Sequence, residues 1–324
     1  MRGKILLLLL FFSIAVIGCE EKAPAPPLVS PKGISLSPRS TSAADFTDFF
    51  EKSRQTGSIV MWAGDWLELS STEGGATVVA ELAPTYNYTP LIEAQFFNQS
   101  TGALLRPLAG TTKEVYKNSA ADFAHKYNLK YLGLGIEVNV LSEKSPSDFD
   151  NFVSFFSEVY DAVKAGSPDT KVFTVFQLEK MKGLNGGLFG GTNDPAKAQW
   201  SLLDRFPKTD LIVFTTYPCL IYKSPADIPA DYYAEIQAHT TKPIAFTEIG
   251  WHSGATPEGW ESSETEQAEF VTTFFDLTNS LNKELIIWSF MYDPETIIPF
   301  NSMGLRRRSD GAAKPAWNTW ININ

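Results

Sequence analysis

The stretch KPIAFTEIGWHS, residues 242–253, ends an apolar run with a carboxylate and turns directly afterwards at a glycine. An ionised carboxylate that leaves water without polar partners costs several kcal/mol. A residue such as Glu248 is therefore uncommon in a buried strand. Either the strand ends at this residue, or the strand serves to place the carboxylate where it acts.

Eight short apolar runs of this kind alternate with amphipathic stretches along the chain. The runs are GISLS (33–37), SIVMWA (58–63), PLIEAQF (90–96), KYLGLGIEV (130–138), KVFTVFQ (171–177), LIVFTTY (211–217), PIAFTEI (243–249) and LIIWSFM (285–291). Such alternation indicates an α/β fold with a parallel sheet and crossover helices. Because no strong linker separates the runs, they predict a single (β/α)8 barrel over residues 33–324.

Three connections carry more specific predictions. The helix between the second and third runs is the least regular, because Gly74, Gly75 and Pro84 interrupt it. The segment SPADIPADYYAEIQAHT, residues 224–240, is predicted to form the helix between the sixth and seventh strands. The segment GLNGGLFGG, residues 183–191, is predicted to be a mobile loop beside the fifth strand, since it lacks the lysine and the helix start of a phosphate-binding loop.

The first 32 residues carry a targeting signal. Met1 to Lys4 is basic, residues 5–17 are apolar, and VIGC at 16–19 resembles a prokaryotic lipobox. The pattern predicts a signal peptide over residues 1–18, a lipid on Cys19 and a Pro- and Ala-rich tether over residues 19–32. The mature protein is then a membrane-anchored lipoprotein outside the cytoplasm. The alternative is an ordinary signal peptide with an incidental cysteine.

The composition disfavours several classes of function. A net charge of −10 disfavours nucleic acids, which need a basic surface. The 3 His are scattered without metal-ligand spacing, so no metal is expected, and no cofactor motif is present. The 8 Trp, 11 Tyr and 23 Phe exceed what packing needs and indicate a cleft for a neutral ligand. Cys219, the other cysteine, is expected to be a buried inert thiol, and the protein is expected to be a monomer.

Two strand-end acids are the candidate catalytic residues. The active site of a (β/α)8 barrel lies at the carboxyl ends of the strands, where Glu137 closes the fourth run and Glu248 closes the seventh. Alternation with a period of two points both acids into the barrel, on the same faces as Gly133 and Gly135 and as Ile244 and Phe246. Two facing carboxyls are the apparatus of glycoside hydrolysis. Tyr217, which closes the sixth run, is expected to donate a hydrogen bond to the ionised acid.

The order of these motifs resembles a known family. An acid at strand four, TTYP at 215–218, TEIGW at 247–251 and a tryptophan at strand eight resemble the retaining (β/α)8 glycosidases of clan A. TEIGWHS and the closing segment SMGLRRRSDGAAKPAW, residues 302–317, are similar to the endo-β-1,4-galactanase and β-1,3-glucanase branches. The resemblance implies a retaining enzyme that cleaves a β-linked polysaccharide or oligosaccharide, with Glu248 as nucleophile and Glu137 as acid/base catalyst.

Two departures from the pattern of the clan keep other functions open. Ile136 precedes Glu137 where the clan usually has an Asn that binds the 2-hydroxyl of the substrate, and MWAGDW at 61–66 lacks the usual strand-two Arg. A carbohydrate-binding lipoprotein that has lost catalysis is therefore the main alternative. A two-lobed solute-binding protein is a further alternative, which a closed barrel would exclude.

Other side chains near the strand ends complete the predicted site. The aromatic residues, on which a pyranose ring can pack, are Trp62, Trp66, Tyr217, Trp251 and Trp288, with core filling as the alternative for the tryptophans. Further candidate substrate contacts are Asn139 and His252.

Polar residues on strands two, three and five carry weaker predictions. Asp65 either binds a sugar hydroxyl or caps a turn. Two pairs of residues that share a strand face either orient the substrate or form a structural network; they are Glu93 with Gln95, and Gln177 with Glu179.

Overall fold

The computed structural model of the protein describes residues 30–323. The predicted signal peptide, Cys19 and most of the predicted tether lie outside the described residues. Across residues 30–323, no helix combines the length and the apolar character needed to span a membrane.

Nine parallel strands of the described chain form one closed sheet. They are β1 (Lys32–Ser35), β2 (Ile59–Asp65), β3 (Thr89–Gln95), β4 (Tyr131–Leu134), β5 (Lys171–Phe173), β6 (Val175–Gln177), β7 (Ile212–Thr216), β8 (Ile244–Ile249) and β9 (Lys283–Trp288). Only Thr174 separates β5 from β6, so the two form one barrel strand that pairs with β4 through its first half and with β7 through its second half. The strand order closes through β1 and β9, and the predicted eight-stranded barrel is confirmed.

Helices cover most of the outside of the barrel. Within residues 30–323 they are α1 (Ala43–Thr56), α2 (Gly75–Tyr86), α3 (Gly110–Lys126), α4 (Val138–Lys144), α5 (Pro146–Gly166), α6 (Leu178–Met181), α7 (Glu264–Leu277) and α8 (Pro315–Asn322). The irregular helix between the second and third strands is present as α2, with Pro84 in its last turn.

The helix predicted over residues 224–240 is wrong. The segment instead forms two short 3-10 turns, Pro225–Asp227 and Ala234–Ala238. Pro225 and Pro229 have no backbone N–H to donate, which interrupts the helical hydrogen-bond pattern. The side chains of Tyr232 and Tyr233 are nevertheless buried and cover this side of the barrel.

The glycine-rich segment 183–191 lies beside the barrel and contains the 3-10 turn Gly187–Phe189. A Cβ on Gly187 would lie 2.2 Å from the carbonyl oxygen of Leu220, so the absence of a side chain lets this segment pack on the turn Pro218–Leu220. The predicted mobility of the segment stays a prediction.

Two apolar layers follow from the alternation of side chains along the strands. Leu285 and Ile287 of β9 face the inside of the barrel, while Ile286 and Trp288 face the helices. The inner cluster fills most of the barrel interior below the carboxyl ends of the strands, that is, toward their amino ends. Polar residues occupy the carboxyl ends. Lys32 was predicted to be the last residue of the tether, but it is the first residue of β1. Its ammonium group donates hydrogen bonds to the carbonyls of Trp320 and Ile323.

Candidate active site

Glu137 is presented by a kink in the backbone rather than by a strand. β4 ends at Leu134, and Gly135 (φ 78°) and Glu137 (φ 59°) both adopt the left-handed conformation. A Cβ on Gly135 would meet Val138 and Phe96 on the helix side of the barrel, so the predicted common face of Gly135 and Glu137 is wrong. The carboxyl nevertheless points into the barrel, where it contacts Gln177 of β6 and Thr215 of β7.

One oxygen of Glu137 is held by two donors from neighbouring strands. Its Oε1 accepts a hydrogen bond of 3.1 Å from Gln177 Nε2 and one of 2.8 Å from Thr215 Oγ1. Burial, followed by the charge of Glu248, raises the pKa of Glu137 to about 7. A carboxyl group with this pKa can hold a proton and release it near neutral pH, which is what a general acid requires.

Glu248 is presented by a β-bulge. In the pairing of β7 with β8, Phe214 lies beside Phe246 and Thr215 lies beside Glu248, so Thr247 is an extra residue. Ile244 and Phe246 belong to the outer apolar layer. The predicted common face of Ile244, Phe246 and Glu248 is therefore wrong, and the bulge turns the carboxylate inward.

The Tyr217 hydroxyl donates a hydrogen bond of 2.6 Å to Oε2 of Glu248. It also lies 2.8 Å from Ser289 Oγ, which donates to the carbonyl of Ile249. Burial raises the pKa of Glu248, and the Tyr217 hydrogen bond opposes this rise by stabilising the ionised carboxylate. Burial also raises the pKa of Tyr217 well above its usual value, so the hydroxyl keeps the proton that it donates.

The two acids belong to one cluster of interacting groups. Thr215 is the strand partner of Glu248 and donates its hydroxyl proton to Glu137, and the charge of Glu248 acts on the pKa of Glu137. Two like charges that interact in this way disfavour double ionisation. The arrangement therefore favours one protonated and one ionised carboxyl, with Glu248, which accepts from Tyr217, as the ionised one.

Glu93 on β3 is a third acid inside the barrel. It is fully buried, and neither of its carboxyl oxygens meets the geometry of a hydrogen bond with a described residue, although the Thr247 hydroxyl lies close enough to lower its pKa. Burial, and then the charge of Glu248, raise the pKa of Glu93 to about 8. Its strand partner is Gly133, where a Cβ would lie 2.8 Å from Glu93 Cγ, so the glycine leaves the space that Glu93 fills.

The sequence predicts that Glu93 and Gln95 either orient the substrate or form a structural network. Gln95 is structural, since its side chain donates to the carbonyl of Ile136 and accepts from the backbone N–H of Phe96. Glu93 makes no such network. The signal that distinguishes it was a Glu in the middle of an apolar strand, opposite a glycine on the next strand.

Glu179 and Gln177 also differ from each other. Glu179 Oε1 accepts hydrogen bonds from the Thr216 hydroxyl, the Tyr217 backbone N–H and the Tyr232 hydroxyl, so this carboxylate fixes the backbone that carries Tyr217. Gln177 contacts Glu137 directly.

The predicted tryptophan platforms are wrong, because Trp66, Trp251 and Trp288 are each 0% exposed. Trp62 is 6% exposed and belongs to the same outer apolar layer. Trp66 stacks on Tyr116 with ring centroids 4.9 Å apart, Trp251 packs on Phe270, and Trp288 packs between Phe270 and Trp320. All three rings lie in the layer between the strands and the helices.

The aromatic ring beside the acids is one that the sequence analysis missed. Phe300 is partly exposed, and its ring meets that of Tyr217 edge to face at a centroid distance of 5.0 Å. Phe300 belongs to a 3-10 turn beyond the last predicted strand, Phe300–Ser302, and no pattern in the sequence associates that turn with the site.

Asn139 and His252 are also buried away from a substrate. The Asn139 amide donates to the carbonyl of Gln177 and to Gln199 Oε1, and its oxygen accepts from the Gln177 backbone N–H. This side chain joins α4 to β6 and has no free donor. His252 is 1% exposed, and burial lowers its pKa.

Three further observations concern the surroundings of the site. Asp65 caps the turn after β2 by accepting from the Leu67 N–H, and it forms a bidentate ion pair with Arg106. A surface groove of about 490 Å³ between residues 69–72 and α3 lies outside the barrel and is lined by none of the candidate site residues. Among residues 30–323, no group of three His, Cys, Asp or Glu side chains is arranged to hold a metal ion.

Comparison with known proteins relates the chain to glycoside hydrolases through structure alone. No protein-family model matches the chain, and no curated protein sequence matches it. A family 39 glycoside hydrolase from Bacteroides cellulosilyticus aligns with a TM-score of 0.60 and 17% identity, covering 90% of this chain and 62% of that one. An exo-β-1,4-mannosidase from an Opitutaceae bacterium aligns with a TM-score of 0.61 and 15% identity, covering 91% of this chain and 58% of that one.

Xylanase 10B from Thermotoga maritima aligns with a TM-score of 0.61 and 12% identity, covering 90% of this chain and 93% of the xylanase. At such identities the similarity shows the fold. The chain is therefore a (β/α)8 barrel of the kind found in these glycoside hydrolases, and it spans less than two thirds of the length of the first two.

Proposed function

We propose that the protein is a retaining glycoside hydrolase that cleaves a β-linked polysaccharide or oligosaccharide. The observation that carries the proposal is the pair Glu137 and Glu248, two interacting carboxyls at the carboxyl ends of β4 and β8 with different hydrogen-bond partners. In a retaining enzyme one carboxyl attacks the sugar and the other handles the proton. The barrel fold shared with glycoside hydrolases supports the same class.

The hydrogen bonds support the proposed assignment of the two roles. Tyr217 holds Oε2 of Glu248, and Oε1 of that carboxylate has no partner among residues 30–323. Oε1 of Glu137 accepts two hydrogen bonds, and its Oε2 is likewise free. Neither free oxygen is among the buried unpartnered atoms, so both can reach a substrate.

The proposed reaction has two steps. Glu248 Oε1 attacks the anomeric carbon while Glu137 gives its proton to the leaving oxygen, so a glycosyl ester forms as the glycosidic bond breaks. Glu137, now ionised, then takes a proton from a water molecule whose oxygen attacks the same carbon. This attack releases the sugar and returns Glu248 to its ionised form.

A covalent inactivator tests the assignment. A panel of activated 2-deoxy-2-fluoro β-glycosides with gluco, galacto, manno and xylo configurations should trap the ester, and mass spectrometry should find it on the peptide that contains Glu248. Glu248→Gln should not be labelled, while the surface control Glu114→Gln should react as the wild type does. A label on another residue, or no label together with no hydrolysis of any β-glycan, would refute the proposal.

The galactanase and β-1,3-glucanase resemblance sets the first substrates for the panel. β-1,4-Galactan and β-1,3-glucan should be tested before mannan and xylan, because the motifs at residues 247–253 and 302–317 resemble those branches. Release of reducing ends from one polymer only would identify the branch.

A second candidate function is carbohydrate binding without catalysis. Ile136 is 4% exposed and belongs to the inner apolar cluster, so it provides no donor for a sugar hydroxyl. No basic side chain of residues 30–323 is among the groups that shift the pKa of Glu248. Binding to a glycan array without product release would favour this function over hydrolysis.

We also propose that the chain is anchored outside the cytoplasm by lipid on Cys19, which the lipobox-like residues 16–19 support. Metabolic labelling with a clickable fatty acid should mark the wild type and place it in the membrane fraction. Cys19→Ser should lose the label, whereas the control Cys219→Ser, which changes a buried thiol, should keep it. Labelling of Cys19→Ser would contradict the anchor.

A further inference from the structure

We propose that the substrate is bound through sugar units beyond the one that is attacked, and that these units lie on the half of the barrel rim formed by the segments after β6, β7, β8 and β9. Phe300 and Trp260 are the rings that contact them. The inference rests on the proposed function and names its substrate class, a chain of several sugar units. It follows from where the partly exposed rings lie, what they contact and how their loops are fixed.

The two halves of the rim differ in their aromatic residues. The segments after β6, β7, β8 and β9 contain six partly exposed rings, which are Phe189, Trp200, Tyr222, Trp260, Phe290 and Phe300. The segments after β1 to β4, residues 36–42, 66–74, 96–109 and 135–137, contain only Trp66, Phe96 and Phe97, each at most 1% exposed. A pyranose packs its apolar C–H face on an aromatic ring, so only the first half offers such contacts.

Phe300 connects this half of the rim to the acids. Its ring meets that of Tyr217 edge to face at a centroid distance of 5.0 Å, and the Tyr217 hydroxyl donates to Glu248. Ile297 and Ile298, which precede this turn, are 73% and 49% exposed, more than any other large apolar side chain of the described residues. A sugar at Glu248 therefore has an exposed apolar surface beside it.

Trp260 extends the aromatic surface along the same turn. Its indole N–H donates to the carbonyl of Cys219, two residues beyond Tyr217. The ammonium group of Lys223 lies 5.1 Å from its ring centroid. These contacts fix the indole, and part of it stays exposed. Phe300 and Trp260 thus contact one short stretch of backbone, with Phe300 nearer to the acids along it.

The loops that carry the two rings are joined to each other. The carbonyl of Ser302, in the turn of Phe300, accepts hydrogen bonds of 3.2 Å from the Ser253 N–H and 2.8 Å from the Ser253 hydroxyl. The Ser262 N–H donates to the carbonyl of Gly254 at 2.9 Å and closes the loop that contains Trp260. A surface that is already ordered costs less conformational entropy when it binds a ligand.

Tryptophan fluorescence tests the binding of the chain without turnover. Among the 8 tryptophans only Trp200 and Trp260 are partly exposed. Glu248→Gln is titrated with β-1,4-galactotetraose, laminaritetraose, β-1,4-mannotetraose and xylotetraose. At least one tetrasaccharide should change the emission. Adding Trp260→Phe, which keeps a ring, should remove the change, whereas adding the control Trp200→Phe should keep it.

Chain length provides the second readout. For the glycan that the enzyme cleaves, kcat/KM of the tetrasaccharide should exceed that of the disaccharide by at least about tenfold, the upper range for one aromatic contact. Trp260→Leu should remove this advantage, and Trp260→Phe should retain most of it. The control Phe46→Leu changes a partly exposed ring on α1 and should behave as the wild type does.

Phe300 has a separate test, because its ring also packs on Tyr217. Phe300→Leu should raise KM by about tenfold for both chain lengths, Phe300→Tyr should restore it, and the acidic limb of the pH profile should stay in place. A ring that only held Tyr217 would give a different result. Its loss would move the acidic limb and lower kcat, as a displaced Tyr217 would.

The outcomes separate this inference from the proposed function. Equal cleavage of disaccharide and tetrasaccharide, unaffected by Trp260→Leu, overturns the inference and leaves the hydrolase proposal standing. An emission change that requires Trp260, without hydrolysis of any β-glycan, supports the inference and overturns the hydrolase proposal. An emission change that Trp200→Phe removes and Trp260→Phe keeps overturns the inference, as does the absence of binding by all four tetrasaccharides.

Discussion

The ends of β4 and β8 each deliver a carboxyl to the same place by different irregularities. At β4 two left-handed residues, Gly135 and Glu137, turn the chain, and at β8 an extra residue, Thr247, shifts the alternation. Regular alternation would have directed the Glu248 side chain toward the helices, where Phe246 lies. Local departures from regular strand geometry therefore aim both acids, and each departure can be perturbed separately.

The largest expected effect separates the two roles. Glu248→Gln should lose activity on the order of 10⁴-fold with every substrate, because no nucleophile remains. Glu137→Gln should lose comparable activity with natural glycans but far less with aryl glycosides, whose leaving groups need no proton. Initial rates with both substrate types measure this. Equal sensitivity of the two variants to the leaving group would remove the assignment of roles.

A smaller effect should distinguish the backbone strain at Gly135 from its close packing against Val138. Gly135→Ala places a Cβ 2.7 Å from Val138 Cγ1, in addition to the strain of a positive φ. Gly190 has nearly the same φ, 75°, with open space around it, and is the matched control. We expect Gly190→Ala to cost about 1–2 kcal/mol of unfolding free energy, and Gly135→Ala about 1–3 kcal/mol more.

Urea unfolding of the two variants measures that difference, and activity shows whether Glu137 has moved. Gly135→Ala should also lose turnover, whereas Gly190→Ala should keep it. Equal stability and equal activity of the two variants would show that the kink is not held by its packing.

The smallest effect concerns the pH profile of kcat/KM. Tyr217 lowers the pKa of Glu248, so Tyr217→Phe raises it, and the acidic limb should move to higher pH with a roughly tenfold loss at neutral pH. Thr215 lowers the pKa of Glu137, which is about 7, so Thr215→Val should move the alkaline limb to higher pH. A shift of the opposite limb in either variant would reverse the roles of the acids.

The fold was largely predictable because each barrel strand appears in the sequence as a separate apolar run. All eight apolar runs became strands, since their β-branched and aromatic residues fit a surface buried on both faces. The predicted helix over residues 224–240 does not form, because the missing N–H groups of its two prolines outweigh its helical apolar spacing. In that connection the buried tyrosines pack without a helix.

The site was predictable only in part. An acid at the end of an apolar run is costly, and this cost identified Glu137 and Glu248 without indicating the kink or the bulge that aims them. The tryptophans were predicted on the wrong face of the barrel. An aromatic residue near a strand end is compatible with either the inner or the outer face, and the sequence does not distinguish the two. Glu93 was underestimated for a related reason, since only the facing Gly133 distinguishes it from a residue in a hydrogen-bond network.

The burial of the indole rings has a spectroscopic consequence. Trp62, Trp66, Trp251, Trp288, Trp317 and Trp320 are each at most 6% exposed and lie in the outer shell of the barrel. The emission of these six tryptophans reports on the packing between helices and strands. Their rings lie outside the part of the barrel that holds the acids. A change in intrinsic fluorescence on adding a sugar would therefore signal a rearrangement of that shell or a change around the two partly exposed tryptophans, Trp200 and Trp260. Unfolding would produce a large red shift as the indoles meet water.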